Sequence, residues 1–547
     1  MDKTKTQNKN SYINIFKNYI NLAFIIIFIY TIISDVYFIS LNNVPLSWDP
    51  ALHMYYSLIY FYLIKTLNFG AIVKVSNYYP PFFHLSSSLL YTIFGFSNKI
   101  AILTNIMYYV IFVYSLIKIG EYLDSREAGL ISAMVASSFP ILLIFQRKYM
   151  LDFALTSLVT FTVYMYLKSD KFRNLKYSVL FGLAFGLSEL TKWDAFIYIL
   201  PPVLITFVVD YLNRCPYCQK FVKDGVKKGF RKFCSQKHAK LYDPKKELYL
   251  YTNAIISLLV AFVVAAWWYL PNLHSVIVRL TYFANIGGKE GDPTVYTIRG
   301  WIYYLKAILN SICVPFLVIF LVSIYYLYKH KKDCKTLTLI LSSIVVPYLI
   351  LTIISNKDCR YIMPVLPFIA LPIGIFVKDF ANKNNIGKYI FAGILILCIL
   401  NISAVTFGQP SVDHKILPTP DYPKTEDWKI NEILKAIEKS GGNGKIVVTL
   451  ADHPYLNGQS LEFYTFEKGY KFVVYNGVYL GYKGFVRIFN KIGYIIVIKP
   501  RKHRGVYGNI EAKLYEYFYK HIQQFRKIAV FNLPDGSKVY IYKRINS

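Results

Sequence analysis

Residues 145–169 read FQRKYMLDFALTSLVTFTVYMYLKS. A turn carrying Arg147 and Asp152 leads into the apolar run 151–168, and the basic segment KSDKFRNLK follows from Lys168. At about 1.5 Å per helical residue the run is barely long enough to cross a hydrocarbon layer. A charged turn at one end of a span and a lysine-rich turn at the other is the signature of a chain that crosses a bilayer repeatedly.

Working outward, further runs of this kind lie at 20–40, 99–119, 126–145, 176–191, 194–211, 250–270, 303–328, 335–354, 361–378 and 387–405, giving about eleven candidate transmembrane helices. The 547 residues are 55% hydrophobic, 18% aromatic and only 17% charged, which excludes an ordinary soluble protein. A formal charge of +31 would suggest nucleic acid in a soluble chain. Here the basic residues fall in short segments between apolar runs, where they set orientation, and no nucleic acid is expected. The first run follows a polar start and reads as a signal anchor rather than a cleaved leader.

The run Phe82–Phe94 is shorter, follows Pro80-Pro81 and contains Ser86–Ser88, so it is expected at the interface and not across the membrane. That parity places the N-terminus, 120–125, KSDKFRNLK, 212–249, KHKKDCK and KDFANKNN on the cytoplasmic side. It places SWDPALHMYY (47–56), FQRKYMLDF, LTKWD (190–194), the loop 271–302, NKDCRY (356–361) and everything beyond about 407 outside. The loop 271–302, with Gly287-Gly288, Gly291 and Pro293, reads as a mobile segment able to close over substrates, or as a plain linker.

Residues 1–406 form one expected membrane domain, and 407–547 a second, extracytoplasmic α/β domain. After the Pro-rich QPSVDHKILPTPDYP (409–423), the helical pattern DWKINEILKAIEKSGG alternates with the β-rich runs KIVVTLA, KFVVYNG, YIIVIKP and KIAVFNL. Asp535-Gly536 in PDGSKVYIYKR predicts a terminal hairpin.

Charged residues at span ends are costly unless paired or functional. Asp49, Arg147, Asp152, Lys192, Asp194 and Arg360 all fall at the outer level, and that convergence is the main sign of a site; interfacial caps and snorkelling side chains are the plain alternative for any one of them.

The order of these motifs resembles the GT-C glycosyltransferases, in the branch of protein O-mannosyltransferases and aminoarabinose transferases. The resemblance rests on an acidic first outer loop, then YYPPFFHLSSSLLYTIFG, FQRKYMLDFALTSLVTFTVYMYLKS, GLAFGLSELTKWDAFIYILPPVL, AWWYLPN and SNKDCRYIMPVLPFIALPIG, over roughly residues 12–405. It implies transfer of a hexosyl or pentosyl group from a polyprenyl- or dolichyl-phosphate carrier to a glycan, protein or lipid acceptor, with inversion. An attacking hydroxyl needs a carboxylate to take its proton, the role implied for Asp49. Lys192, Arg147 and Arg360 would hold the departing phosphate, with Tyr361 beside them. Asp152 matches the second acidic position, or is simply the N-cap of the following helix. The family often has Asp-Glu where this chain has Asp49-Pro50, which puts a metal-assisted variant in doubt and leaves a divalent cation at the active site open. His53 would stand in as a ligand or acceptor-binding group, or is a solvated interfacial histidine. A Lys or His commonly precedes the paired prolines; here it is Tyr79.

Cys215, Cys218, Cys234 and His238, spaced C-x2-C-x15-C-x3-H, predict a structural Zn²⁺ in the insertion 212–249. The reading is independent of the topology that makes this segment cytoplasmic, where thiols stay reduced. The basic module is expected to meet lipid headgroups or a partner. A transporter or lipid-handling protein is the rival class, but it predicts charges near mid-span; a zinc-dependent scaffold would leave the outer charges dispensable. The abundance of Lys, Ile and Tyr hints at a thermophile, and in an archaeal host the carrier would be dolichol-type.

Overall fold

The computed structural model describes residues 2–218, 220–222, 225–243, 247–331, 334–383, 385–408, 421–500 and 508–545. Most of the Pro-rich segment 409–423 lies outside them.

The first seven helices are α1 (Asp2–Leu41), α2 (Trp48–Lys65), α3 (Ile72–Val75), α4 (Phe82–Phe94), α5 (Asn98–Leu123), α6 (Arg126–Ser137) and α7 (Pro140–Gln146). Next come α8 (Leu151–Lys168), α9 (Leu175–Glu189) and α10 (Ala195–Asn213). A small insertion holds β1 (Val226–Lys228), β2 (Arg231–Phe233) and α11 (Gln236–Lys240) before α12 (Leu248–Glu290), α13 (Ile298–Tyr326), α14 (Cys334–Ile353), α15 (Leu366–Lys383) and α16 (Asn385–Phe407).

Among the described residues, eight helices are long and apolar enough to cross a bilayer, and α6 with α7 makes a ninth span bent by 71°. The bend falls where Pro140 opens α7, since a proline cannot continue the hydrogen-bond ladder of the preceding turn. The other two expected spans are α8, whose flank is nearly all buried, and α9, of 15 residues. The run 82–94 forms the separate short helix α4.

One expectation fails in the 271–302 segment: α12 continues as helix through Pro271 to Glu290, so only about seven residues link it to α13. Glycine at 287 is what the close packing demands, because a Cβ there would lie 2.1 Å from the Ser355 carbonyl oxygen.

Beyond residue 421 the chain folds as α17 (Ile430–Lys439), β3 (Ile446–Thr449), α18 (Gly458–Glu467), β4 (Val473–Asn476), α19 (Gly477–Ile488), β5 (Ile492–Lys499), α20 (Gly508–Lys520), β6 (Phe525–Asn532) and β7 (Lys538–Arg544). The sheet order is β4-β3-β5-β7-β6, with β3 parallel to both neighbours and β7 antiparallel to both of its own. β5 is buried on both faces, as its unbroken apolar run requires. Tyr494, Ile496 and Ile498 pack with Ile433, Leu434 and Leu461, while Ile495 and Val497 pack with Phe485, Leu514 and Phe518. Helices therefore cover both sides of a mixed sheet.

α18 lies on α2. Phe466 meets Tyr55 edge-on with ring centres 5.1 Å apart, the Tyr464 hydroxyl accepts from the Leu46 amide at 3.3 Å, and Trp48 Nε1 donates to Asp452 Oδ1 at 2.7 Å.

Candidate active site

α2 begins at Trp48 because Ser47 is extended, Asp49 favours the positive end of the helix dipole, and Pro50 falls in the first turn, where its missing N–H costs nothing. This fixes Asp49 at the mouth of the bundle and His53 one turn deeper.

The opposing wall comes from a tight 3₁₀ segment, Cys359–Val365. Lys357 caps the end of α14 by donating to the Leu351 and Thr352 carbonyls at 3.0 and 2.6 Å. Asp358 Oδ1 then accepts from the Arg360 amide at 3.0 Å, and Asp358 Oδ2 pairs with Arg360 Nε at 2.9 Å. So held, Arg360 directs both terminal nitrogens to one oxygen of Asp49, each at 3.0 Å. The other Asp49 oxygen has no protein partner among the described residues, and the carboxylate side chain is 35% exposed.

Lys192 lies in the turn between α9 and α10. Its ammonium donates to Asp152 Oδ1 at 3.0 Å, pairs with Asp194 Oδ2 at 3.2 Å and sits 4.7 Å from the centre of the Tyr361 ring. Burial alone would lower its pKa, but Asp152 and Asp194 outweigh that and raise it, so it stays a cation. Tyr198 fixes the backbone beneath by donating to the Tyr361 carbonyl at 2.7 Å. Asp194 Oδ1 and Trp193 Nε1 of the same turn, and Glu189 Oε1 at the end of α9, are buried without a hydrogen-bond partner among the described residues, capacity that a polar ligand would use.

The Ser76 hydroxyl accepts from the Tyr79 amide at 2.9 Å, and the Phe82 amide donates to the Leu190 carbonyl at 2.9 Å. These bonds hold Tyr79 edge-on to His53, ring centres 4.7 Å apart. His53 is buried, not solvated, with Nδ1 3.1 Å from His84 Nε2. Burial first, then the Arg360 charge, lower its pKa to about 3, so the imidazole is neutral.

The structure thus brings Asp49, His53, Asp152, Lys192, Arg360 and Tyr361 to one end of the bundle. Asp152 is not the N-cap of α8; Met150 holds that position and Asp152 turns to Lys192 instead. Arg147 stands apart. Its Nε pairs with Asp35 Oδ1 at 2.7 Å, and its Nη2 donates to Ser34 and Thr406 at 2.9 and 2.8 Å, a buried tie among α1, α7 and α16. None of its contacts among the described residues is with the Asp49 or Lys192 groups.

Sequence reasoning passed over Asp358, although its place two residues before Arg360 in a short turn was a usable signal. It also missed Arg279, whose guanidinium lies 5.8 Å from the Tyr78 ring centre, because the segment that carries it read as a loop. Asp35 and Asp452 had no local signal: their partners lie 112 and 404 residues away.

For a divalent cation the donors at this end do not fit. Asp49, Asp152 and Asp194 are each engaged by Lys192 or Arg360, and among the described residues no three metal-ligating side chains converge there. At the far end of α10 the situation differs. Cys215, Cys218, Cys234 and His238 bring their ligand atoms within 4.8 Å of one another, close enough for a small inward movement of the side chains to place all four on one ion. The group can hold a metal, with no open position for chemistry.

Residues 79–221 match the model of the family described as dolichyl-phosphate-mannose-protein mannosyltransferase. No curated protein matches the chain significantly by sequence. In three dimensions the chain is similar to ArnT from Cupriavidus metallidurans bound to undecaprenyl phosphate, with a TM-score of 0.55, 12% identity, and coverage of 95% of this chain and 98% of that one. It is also similar to the archaeal oligosaccharyltransferase AglB from Archaeoglobus fulgidus, in complex with an inhibitory peptide and a dolichol-phosphate, with a TM-score of 0.53, 11% identity, and coverage of 95% and 74%. The fold is that of the GT-C membrane glycosyltransferases.

Proposed function

We propose that this chain transfers a sugar from a polyprenyl- or dolichyl-phosphate carrier to an acceptor hydroxyl or amide at the Asp49 end of the bundle. The observation that carries the reading is the Asp49–Arg360 pair. One carboxylate oxygen is held by a guanidinium suited to a phosphate, and the other is left open toward solvent.

Asp49 acts as general base on the acceptor. Arg360 and Lys192 hold the phosphate as negative charge develops on its bridging oxygen. Four carboxylates, Asp49, Asp152, Asp194 and Asp358, surround these two cations, so an incoming phosphate must draw Arg360 or Lys192 partly away from its carboxylate partner. Asp152 and Asp194 position Lys192, Tyr361 lies beneath its ammonium, and neutral His53 serves as a hydrogen-bonding wall, not as a phosphate-binding cation. In the related fold, undecaprenyl phosphate and dolichol-phosphate are the bound lipids, which supports a carrier of this class here.

The positive-inside pattern supports an extracytoplasmic active site and an extracytoplasmic domain beyond residue 407 in a cell membrane, with the N-terminus and the Cys-rich insertion in the cytoplasm. That domain, seated on α2 through Asp452 and Phe466, is suited to meet the acceptor. The metal at Cys215, Cys218, Cys234 and His238 is Zn²⁺ with a structural role, in keeping with three thiolates and one imidazole.

The test is transfer of radiolabelled sugar from a panel of polyprenyl- and dolichyl-phosphate sugars to host membrane extract, by purified wild type and by Asp49→Asn of matched thermal stability. Wild type is expected to turn over, with the variant slower by roughly 10²–10⁴-fold. Equal rates would remove Asp49 from the role of base, and no turnover by either with the host's own carriers would favour a lipid-handling function.

A further inference from the structure

α10 spans about 28 Å at 1.5 Å per residue, with Asp194 before one end and the Cys-rich module after the other. The module is pinned to the helix ends. Arg231 lies 3.8 Å over the Tyr211 ring and pairs with Glu247 at 2.7 Å. Arg214 pairs with Asp210 and Asp170, both at 2.9 Å, and Lys335, in the first turn of α14, lies 4.4 Å from the Phe221 ring centre. Tyr211 is two residues from the end of an apolar helix long enough to span, and Lys335 begins another. The β1–β2 hairpin is therefore held at the depth where spans leave the apolar layer.

At the tip of that hairpin, Gly229 adopts φ +59° with open space around it, and Phe230 is 91% exposed. Phe230 adjoins Arg231, whose own side chain reaches Tyr211. Lys227, Lys228, Lys237 and Lys240 are exposed around it, and residues 214–243 carry nine lysines and arginines against two aspartates. An aromatic residue thrust outward among cations at a span end matches a surface that is apolar just inside and anionic just outside.

We propose that the Gly229-Phe230 tip is a membrane contact. Phe230 enters the headgroup–acyl boundary of the leaflet at this end of the bundle, and Lys227, Lys228, Lys237 and Lys240 meet anionic headgroups. The proposal is independent of the transferase reading. Single-stranded nucleic acid also takes aromatic and cationic side chains, but the attachment to two span ends puts this tip against lipid.

The experiment uses the full-length chain in nanodiscs, comparing the Phe230→Trp variant with wild type so that the six native tryptophans subtract out. In phosphatidylglycerol-rich discs the added emission should be blue-shifted and largely lost when the acyl chains are brominated. A Lys227→Glu/Lys228→Glu background should restore it. Added emission that stays water-like and unquenched overturns the contact. Equal quenching in phosphatidylcholine discs overturns the anionic requirement, and displacement of the tip from anionic discs by polyuridine would assign the surface to RNA.

Discussion

Arg147 and Lys192 are both buried cations near the same end of the bundle, yet their surroundings set different consequences for losing them. Arg147 answers Asp35 alone, with hydroxyls of Ser34 and Thr406 beside it, so Arg147→Met strands a buried carboxylate and should cost about 3–5 kcal/mol of stability. Asp35→Leu/Arg147→Met should regain most of it and keep transfer activity. Lys192→Met removes a group facing the ligand side of Tyr361 and should lower transfer by roughly 10²–10³-fold, the scale seen when a single stabilising donor is lost. Thermal unfolding in detergent alongside radiolabel transfer separates the two; activity lost in the double variant of matched stability would return Arg147 to the site. The sequence showed that these charges share one level of the membrane, because span ends are easy to place. It could not show who pairs with whom, since Asp35 sits inside the first apolar run and pairing is decided by helix packing.

The helices themselves were legible wherever an apolar run was long enough to cross, and the β-strands beyond residue 445 wherever β-rich runs met turn residues. The extension of α12 was not, because Pro271, Gly287 and Gly288 read as breakers. Packing overrides them: Gly287 is pressed against Ser355, beside the turn that presents Asp358 and Arg360. Its neighbour Gly288 meets nothing within 4 Å. Two adjacent glycines should therefore respond oppositely to alanine. Gly287→Ala must push α12 off the 355–360 turn and should reduce both stability and transfer. Gly288→Ala removes a flexible residue from an exposed helical position and should stabilise by about 0.5–1 kcal/mol without loss of transfer. Thermal melts and transfer assays on the two single variants check this, and similar behaviour of both would mean the outer end of α12 is not packed as described.

At the scale of the whole molecule, the bundle and the sheet domain meet at α2, the helix that presents Asp49. Trp48, one residue before it, is tied to Asp452, and Glu462 of α18 lies near enough to Tyr55 and Tyr56 of the same helix for its charge to act on both hydroxyls. No local pattern could reveal this contact, because it joins residues some 400 positions apart. Glu462 gives it a pH signature. Burial raises its pKa from 4.5 to about 7, and it has no hydrogen-bond or ion-pair partner among the described residues. Below about pH 4.5 the carboxyl is protonated in both folded and unfolded chains and contributes nothing to pH dependence. Between 4.5 and 7 the unfolded chain releases the proton while the folded chain keeps it, so stability falls as pH rises, and the full penalty stands above about 7. Glu462→Gln removes that penalty. It should raise the melting temperature at pH 8 well above that of wild type, with the difference shrinking toward pH 5. A constant difference across that range would show that Glu462 is not buried against α2 in the folded protein, and with it that the sheet domain does not seat on the helix carrying the proposed base.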